Sequence, residues 1–371
     1  MGSAKSLAKI FGWNAAIVLI LLSPIWIPLS LTWLTLNHLN LVKKVPAFGQ
    51  WSIQLARYPY LNYFRPGLNG RKDCYAYDEI LLYRGKPNSE CRFSGLEFDT
   101  KVAHNSFGVR SLDSDLLSPS TIVIGDSHAM GWGVDQGERF SELLPLRFQP
   151  VLNLAVSSYG TARELRLLDL YAAQFPDAYT NVSLVILQYG VNDFGENIST
   201  GSAKFNSARP PEDFNPQGMY AGYRELMWSV SPAQVRQALN HWYAWTAAQI
   251  TKELGVPGVI PSEWAYDPYA IPYPGHGDPF VQAFAPYSGL LAGKALAVFV
   301  SSDHGFYNKS AFDHLLSRRQ ELQAALPRTE LVWVDFSSAC SSECYYDLDD
   351  HLRPLGHRRL ASLLEESIHS R

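Results

Sequence analysis

From residue 119 onward, the chain alternates short, uninterrupted apolar runs with stretches of helical periodicity. A strand that is apolar at every position is buried on both faces, which is typical of a parallel sheet covered by helices. We therefore predict an α/β fold built on a three-layer, doubly wound parallel sheet. The predicted strands are 121–124, 151–154, 183–188, 295–300 and 331–334, and the predicted helices include 161–172, 310–326 and 355–369.

Polar residues follow these strands, at the edge where an open parallel sheet binds its ligands. A serine begins the helix predicted after the first strand, where backbone N–H groups can stabilise negative charge on a bound oxygen. A histidine near the carboxyl terminus has carboxylates beside it, and a catalytic histidine needs one to hold its tautomer. Taken alone, the first three segments could be helix caps or turns, and the histidine segment could be a solvated acidic loop. Together they predict a serine nucleophile with a histidine base. The segments contain Ser127, Gly160, Asn192 and His351, with Asp347, Asp349 and Asp350 beside the histidine.

The same segments resemble the sequence blocks of the SGNH (GDSL-like) hydrolases, a superfamily named for a serine, a glycine, an asparagine and a histidine. The resemblance covers roughly residues 100–195 and 330–365. The matching stretches are Gly125-Asp126-Ser127-His128, Gly190-Val191-Asn192-Asp193, and Asp349-Asp350-His351-Leu352 with Gly356. Two more stretches, Asn105-Ser106-Phe107-Gly108-Val109-Arg110 and Gly131-Trp132-Gly133-Val134, are similar to membrane-anchored bacterial members.

The resemblance implies a role for each residue and a flavodoxin-like sheet. Ser127 would be the nucleophile, His351 would take its proton, and Asp349 would orient the imidazole. The backbone N–H groups of Ser127 and Gly160 and the side chain of Asn192 would form the oxyanion hole. No metal or organic cofactor is expected.

The second block departs from the family's pattern. Counted from Asn153, the usual glycine falls at Ser158, and the nearest glycine is Gly160, so the N–H of either residue is a candidate donor. Around Ser127 the second glycine of G-x-S-x-G is replaced by Ala129, which disfavours the nucleophile elbow of an α/β-hydrolase.

The identity of the acid is also open in the sequence. Many family members place an aspartate three residues before the histidine, where this chain has Leu348. Some envelope members that the chain resembles have a D-x-H spacing, which implies Asp349, and Asp347 and Asp350 are the alternatives.

The N-terminal segment lacks charged residues from Ile10 to Val42. Within it, residues 15–36 are mostly apolar, and about 20 apolar residues suffice for a transmembrane helix. Trp13 and Trp33 lie near the ends of this run, as interface anchors do. We predict an uncleaved anchor rather than a signal peptide, because the run is long and no small-x-small cleavage site follows it.

Four cysteines form two local pairs, Cys74 with Cys91 and Cys340 with Cys344. An even number outside the span is typical of disulfides in an oxidising compartment, and the C-x-x-C spacing of metal sites is absent. We therefore predict a single-pass membrane protein whose catalytic domain is periplasmic or extracellular. Four reduced thiols in the cytoplasm are the alternative.

The predicted organisation has three parts. Residues 1–42 are a cytoplasmic stub and the membrane anchor, and residues 43–118 are a lead-in of short strands and turns. Residues 119–371 are the catalytic domain, with an insertion at about 196–290.

The chain has 31 Lys and Arg against 35 Asp and Glu, a formal charge of -4, so the basic footprint of a nucleic-acid-binding protein is missing.

The predicted function is hydrolysis of O-acyl esters, in particular O-acetyl esters, of a small molecule or a cell-surface polysaccharide. An O-acetyltransferase would use the same residues, with a glycan hydroxyl instead of water as the acyl acceptor. Two other classes are a non-catalytic glycan-binding protein on the same fold and a lipase or thioesterase, which would need a long apolar groove.

Overall fold

The structure is a computed structural model that describes residues 23–61, 74–190, 193, 197, 279–301 and 308–369. The described residues fall into two compact units, with residues 23–61 in one and all the others in the second. Most of the predicted insertion at 196–290 lies outside the described residues.

The described part of the first unit contains two helices, α1 (Ser23–Val42) and α2 (Pro46–Pro59), which pack against each other. A pair of buried hydroxyl groups joins them, since Thr35 Oγ1 and Ser52 Oγ lie 2.5 Å apart. One hydroxyl can donate to the other while the second donates to the carbonyl of Leu31, which lies within hydrogen-bond distance of both oxygens, so both groups are satisfied. The backbone leaves the helical region at His38 in α1.

No helix in the described part of the chain is both long enough and apolar enough to cross a membrane. The predicted span begins at residue 15, and residues 15–22 are outside the described range. The membrane anchor therefore stays a prediction.

The second unit begins with two antiparallel hairpins. Strands β1 (Tyr75–Asp78) and β2 (Leu82–Gly85) form the first, and β3 (Glu90–Ser94) and β4 (Asp99–Ala103) form the second. Buried and exposed residues alternate along β3 and β4, as in a sheet with one solvated face. The Cys74–Cys91 disulfide joins the residue before β1 to β3 and confirms the first predicted pair.

A parallel sheet of five strands forms the centre of the second unit. Its spatial order, numbered along the chain, is 2-1-3-4-5, which is the flavodoxin-like order. The predicted parallel sheet and its topology are therefore confirmed. In chain order the strands are β5 (Thr121–Ile124), β6 (Val151–Asn153), β7 (Leu184–Tyr189), β8 (Ala295–Val300) and β9 (Glu330–Val334).

Helices cover both faces of this sheet. The chain runs from β5 outward to β6 and then crosses back past β5 to β7. Because crossovers between parallel strands are right-handed, the helices between β5 and β6 lie on one face and those of the later crossovers lie on the other. The α-helices in chain order are α3 (Ser127–Met130), α4 (Phe140–Leu143), α5 (Thr161–Gln174), α6 (Pro176–Thr180), α7 (Pro279–Phe284), α8 (Asn308–Ser317), α9 (Arg319–Ala325) and α10 (Pro354–His369). The contacts agree: α10 packs on α4, and α7 packs on α5 and α9.

The predicted helix at 310–326 differs from the structure in one respect. The backbone is not helical at Arg318 (ψ 4°), so two short helices, α8 and α9, replace a single one. The other predicted strands and helices agree with the structure to within a few residues. Short 3₁₀ helices occupy Asp113–Leu116, Gln136–Glu138, Leu146–Phe148, Ala285–Tyr287, Phe336–Ser338 and Ser342–Cys344.

The core lies on both faces of the sheet. Every residue of β5 and β7 is buried, which explains why their sequences show no polar alternation. The second predicted cysteine pair, Cys340 and Cys344, also forms a disulfide, close to the start of α10.

Candidate active site

Strand β5 delivers Ser127 to the carboxyl edge of the sheet, at the point where the strand order reverses. Gly125 follows the strand with φ 155°, and a side chain there would come within 2.7 Å of Ala129 and Gln188. Asp126 then caps α3 by accepting the N–H of His128 at 2.8 Å. The tight turn leaves Ser127 as the first residue of α3, 8% exposed.

His351 lies between Ser127 and two carboxylates. Its Nε2 is 2.7 Å from Ser127 Oγ, and its Nδ1 is 2.5 Å from an oxygen of Asp349. Asp350 is 3.0 Å from the same Nδ1. A neutral imidazole with its proton on Nδ1 can donate to a carboxylate and accept the serine proton on Nε2. The predicted serine, histidine and aspartate are thus brought together in one hydrogen-bonded chain.

Of the three candidate acids, Asp349 makes the shortest contact with His351. Asp349 is fully buried, and it also accepts the backbone N–H of His351 at 3.2 Å. Leu348, at the position where many SGNH hydrolases have aspartate, is buried in the protein interior. The second carboxylate contact, from Asp350, was not expected from the D-x-H spacing.

The environment of His351 acts on its pKa in two directions. Burial lowers the pKa, and the nearby carboxylates of Asp350 and Asp349 outweigh this effect and raise it to about 10. The neutral imidazole that can accept a proton from Ser127 therefore becomes abundant only in alkaline solution. For any reaction that uses His351 as a base, kcat/KM should rise with pH until this group is deprotonated.

We expect Asp350→Asn to move this rise to lower pH by about one unit, because one of the two carboxylates that stabilise the imidazolium is lost. The measurement is the pH profile of kcat/KM for an acetyl ester, corrected for spontaneous hydrolysis. A profile with an unchanged rising limb in Asp350→Asn would show that this carboxylate does not act on His351.

The loop after α3 packs against His351 through Trp132. The N–H groups of Gly131 and Trp132 donate to the carbonyl of Ser127, and the Trp132 ring lies 5.6 Å from the His351 ring. The buried Arg110 guanidinium donates to the carbonyls of Met130, Gly131 and Val134. Arg110 is the last residue of the stretch Asn105-Ser106-Phe107-Gly108-Val109-Arg110. The structure therefore gives that stretch a role in holding this loop.

The turn after β6 contains both candidates for the second oxyanion donor. Ser158 has φ 62°, the left-handed conformation that favours glycine, whereas Gly160 has φ −102° and precedes α5. The glycine-like conformation thus falls on Ser158, the position where the SGNH pattern has its glycine. Ser158 is exposed and Gly160 is buried. The role of Gly160 stays a prediction.

The third block follows β7, and Asn192 lies outside the described residues. Its neighbour Asp193 is buried and accepts hydrogen bonds from Gly190 N–H and from the Thr161 hydroxyl. Asp193 therefore connects the third block to the start of α5. The position of the Asn192 amide relative to Ser127 stays a prediction.

Gln188 connects three strands beneath the site and was missed in the sequence. Its oxygen accepts the N–H of Asp126 at 2.9 Å, and its amide donates to the carbonyl of Ser301 at 3.0 Å. Ser301 in turn contacts His128 Nδ1 at 3.1 Å. A glutamine inside an otherwise apolar strand was the available signal, because a buried amide needs partners.

Glu164 on α5 is a buried carboxyl group near the site. Neither of its oxygens has a hydrogen-bond partner among the described residues. Burial, followed by the nearby carboxylates of Asp193 and Asp126, raises its pKa well above the usual range. Glu164 is therefore held neutral in the folded protein at pH values where the unfolded chain ionises it.

We expect Glu164→Gln to remove a pH-dependent loss of stability. Since the folded-state pKa is raised, the wild type should lose up to about 1.4 kcal/mol per pH unit above the unfolded-state pKa of Glu164. Urea unfolding at pH 5 and pH 8 would measure this change. The control is Glu90→Gln, because Glu90 is exposed and forms an ion pair with Lys101. Equal pH slopes in wild type and Glu164→Gln would contradict the buried neutral acid.

Asp349, Asp350 and His351 also offer ligand atoms that lie within 4.8 Å of one another. An ion that took His351 Nδ1 as a ligand would displace its hydrogen bond to Asp349. Chelation is therefore a useful control for any activity of this site.

Comparison with known proteins gives remote structural matches and no sequence family. No family model and no curated protein matches the sequence. Similar solved structures include the psychrotrophic esterase EstA from Pseudoalteromonas sp. (13% identity, 68% of this chain and 97% of that chain, TM-score 0.32). Others are the acetylxylan esterase Axe2 from Geobacillus stearothermophilus (12%, 68% and 96%, TM-score 0.31) and a lipolytic G-D-S-L protein from Veillonella parvula (12%, 68% and 98%, TM-score 0.34). Likeness at this level carries no argument about function, which must come from the site itself.

Proposed function

We propose that this protein is an extracytoplasmic serine ester hydrolase of SGNH type that acts on O-acyl esters, in particular O-acetyl esters of carbohydrate. The observation that carries the proposal is the continuous contact from Ser127 Oγ through the His351 ring to Asp349. A serine hydroxyl is a weak nucleophile until a base takes its proton. A histidine base needs a carboxylate that is hydrogen-bonded to its other ring nitrogen.

In the first half of the reaction, Ser127 Oγ attacks the ester carbonyl while His351 Nε2 takes the hydroxyl proton. The tetrahedral intermediate collapses, and His351 returns the proton to the departing alcohol oxygen. The acyl group is then bound to Ser127 as an ester. Asp349 and Asp350 stabilise the imidazolium that forms in between.

In the second half, His351 Nε2 takes a proton from water while the water oxygen attacks the acyl carbonyl. The tetrahedral intermediate then collapses, His351 returns the proton to Ser127 Oγ, and the carboxylic acid is released. The developing oxyanion is stabilised by the N–H of Ser127, an N–H from the turn at 158–160, and the side chain of Asn192. Each such donor typically contributes about 2.7–4 kcal/mol to lowering the barrier.

An O-acetyltransferase would share the first half of this reaction. A glycan hydroxyl would then replace water in the second half, and the same His351 would take its proton. The aromatic residues of the insertion at about 196–290 support a carbohydrate substrate, because sugar rings stack on aromatic faces.

The two disulfides support a location in an oxidising compartment. With the charge-free N-terminal run, they underlie the proposal of a membrane-anchored protein with its catalytic unit in the periplasm or outside the cell.

The test is ester turnover by the purified full-length chain, with p-nitrophenyl acetate, butyrate and octanoate as substrates. Preferred turnover of the acetate, unaffected by EDTA, would support an acetyl esterase without a metal. Preference for octanoate would favour a lipase or thioesterase. Transfer of acetyl groups to an added glycan, faster than to water, would favour the transferase. No turnover or transfer by the folded wild type would overturn the proposed chemistry and leave a glycan-binding protein.

A further inference from the structure

The turn between β3 and β4 places a carboxylate on the loop that carries Asp349. The backbone N–H of Asp347 donates to one oxygen of Glu97 at 2.9 Å. The N–H groups of Leu348 and Asp349 donate to the other oxygen at 2.7 and 3.0 Å. Three successive N–H groups thus converge on one side chain, the arrangement by which backbone nests bind anions.

This contact joins two distant parts of the chain. Glu97 belongs to the second hairpin, which the Cys74–Cys91 disulfide fastens to the chain before β1. The next residue, Phe98, is buried and packs against Trp132 and Tyr346. The Tyr346 hydroxyl donates to the Gly133 carbonyl, so the hairpin contacts both the loop after Ser127 and the loop before His351.

The carboxylate of Glu97 lies beside a loop that is itself acidic. The loop already contains Asp347, Asp349 and Asp350, and a fourth carboxylate beside them is repelled by like charges. Hydrogen bonds from three amides offset that repulsion, since bonds to an ionised acceptor are about twice as strong as neutral ones. The same three bonds fix the backbone at Asp349, whose side chain meets His351 Nδ1.

We propose that Glu97 is a positioning residue for the catalytic acid: its carboxylate holds the amides of residues 347–349 and so keeps Asp349 against His351. This inference rests on the proposed function, because it assigns Glu97 to the site through which Ser127 would be activated. Glu97 itself touches neither Ser127 nor His351 in the described hydrogen bonds.

The test compares Glu97→Ala, Glu97→Gln and Asp99→Asn in the full-length chain. Asp99 is the matched control, because it is a carboxylate on the same hairpin whose partners are the exposed Arg92 and Ser94 rather than the acid loop. Each variant is measured for kcat and KM with p-nitrophenyl acetate across pH. The pKa of His351 is followed by NMR of its ring, with His351→Ala for assignment, and folding is checked by thermal melting.

We expect Glu97→Ala to lower kcat by about tenfold to a hundredfold with little change in KM, because a small misplacement of Asp349 weakens the base. The NMR pKa of His351 should fall in the same variant. Glu97→Gln should lie between Glu97→Ala and wild type, because its amide oxygen can still accept from Leu348 and Asp349. Asp99→Asn should retain the wild-type kcat, pH profile and His351 pKa.

Wild-type kcat, pH profile and His351 pKa in a folded Glu97→Ala would overturn the inference, and so would an equal loss in Asp99→Asn. If Glu97→Ala does not fold, Glu97→Gln decides, and wild-type values in that variant overturn the inference. The NMR titration requires no turnover. A wild type that lacks esterase activity would therefore remove the proposed function, while the coupling of Glu97 to His351 is still measured separately.

Discussion

Replacing Ser127 with alanine is expected to reduce ester turnover by roughly 10⁵-fold or more, to the limit of detection. The variant lacks the hydroxyl that His351 Nε2 contacts at 2.7 Å and that would accept the acyl group. Turnover of p-nitrophenyl acetate by the full-length variant measures this loss. The oxyanion donors would remain, so only a small residual rate above the spontaneous reaction is expected.

Ser120→Ala is the matched control for this substitution. Ser120 precedes β5, at the opposite end of the strand that delivers Ser127, and its hydroxyl donates to the carbonyl of Phe148. We expect Ser120→Ala to keep the wild-type turnover. Wild-type turnover in Ser127→Ala would exclude Ser127 as the nucleophile, and an equal loss in both variants would indicate a general defect of the fold.

The second large effect is expected at Asp349. Asp349→Asn should lower kcat/KM by about a thousandfold or more, because the amide would favour the imidazole tautomer with its proton on Nε2. That tautomer cannot accept the proton of Ser127. The measurement is kcat/KM at the alkaline plateau, where the wild-type histidine is neutral.

Asp350→Asn provides the comparison, because Asp350 contacts the same nitrogen at the longer distance of 3.0 Å. At the alkaline plateau we expect it to lose less than about tenfold, since Asp349 still orients the ring. A greater loss in Asp350→Asn than in Asp349→Asn would assign the orienting role to Asp350.

The sheet strands and the separate segments of the candidate site could be recognised because the signal of each is local in sequence. Uninterrupted apolar runs reveal strands buried on both faces, and Ser127 follows such a run directly. The D-x-H spacing of similar family members likewise pointed to Asp349, which the structure places 2.5 Å from His351 Nδ1. In each case a few consecutive residues determine the geometry.

The remaining contacts join residues that are far apart in the chain. Glu97 meets the amides of residues 347–349 across about 250 positions, and nothing in the hairpin sequence distinguishes it from a solvated turn residue. Glu164 looks like an ordinary helix residue until its burial is known. Asp350 follows Asp349 directly, yet only the folded loop shows that both carboxylates reach the same nitrogen.

The most direct test of the central claim is the site of covalent labelling by a fluorophosphonate, which reacts with activated serine hydroxyls. The full-length wild type would be treated with the reagent, digested and analysed by peptide mass spectrometry, beside His351→Ala. We predict one phosphonyl group on Ser127 in the wild type and strongly slowed labelling in His351→Ala. Labelling of another residue, or none in the folded wild type, would contradict an activated nucleophile at Ser127.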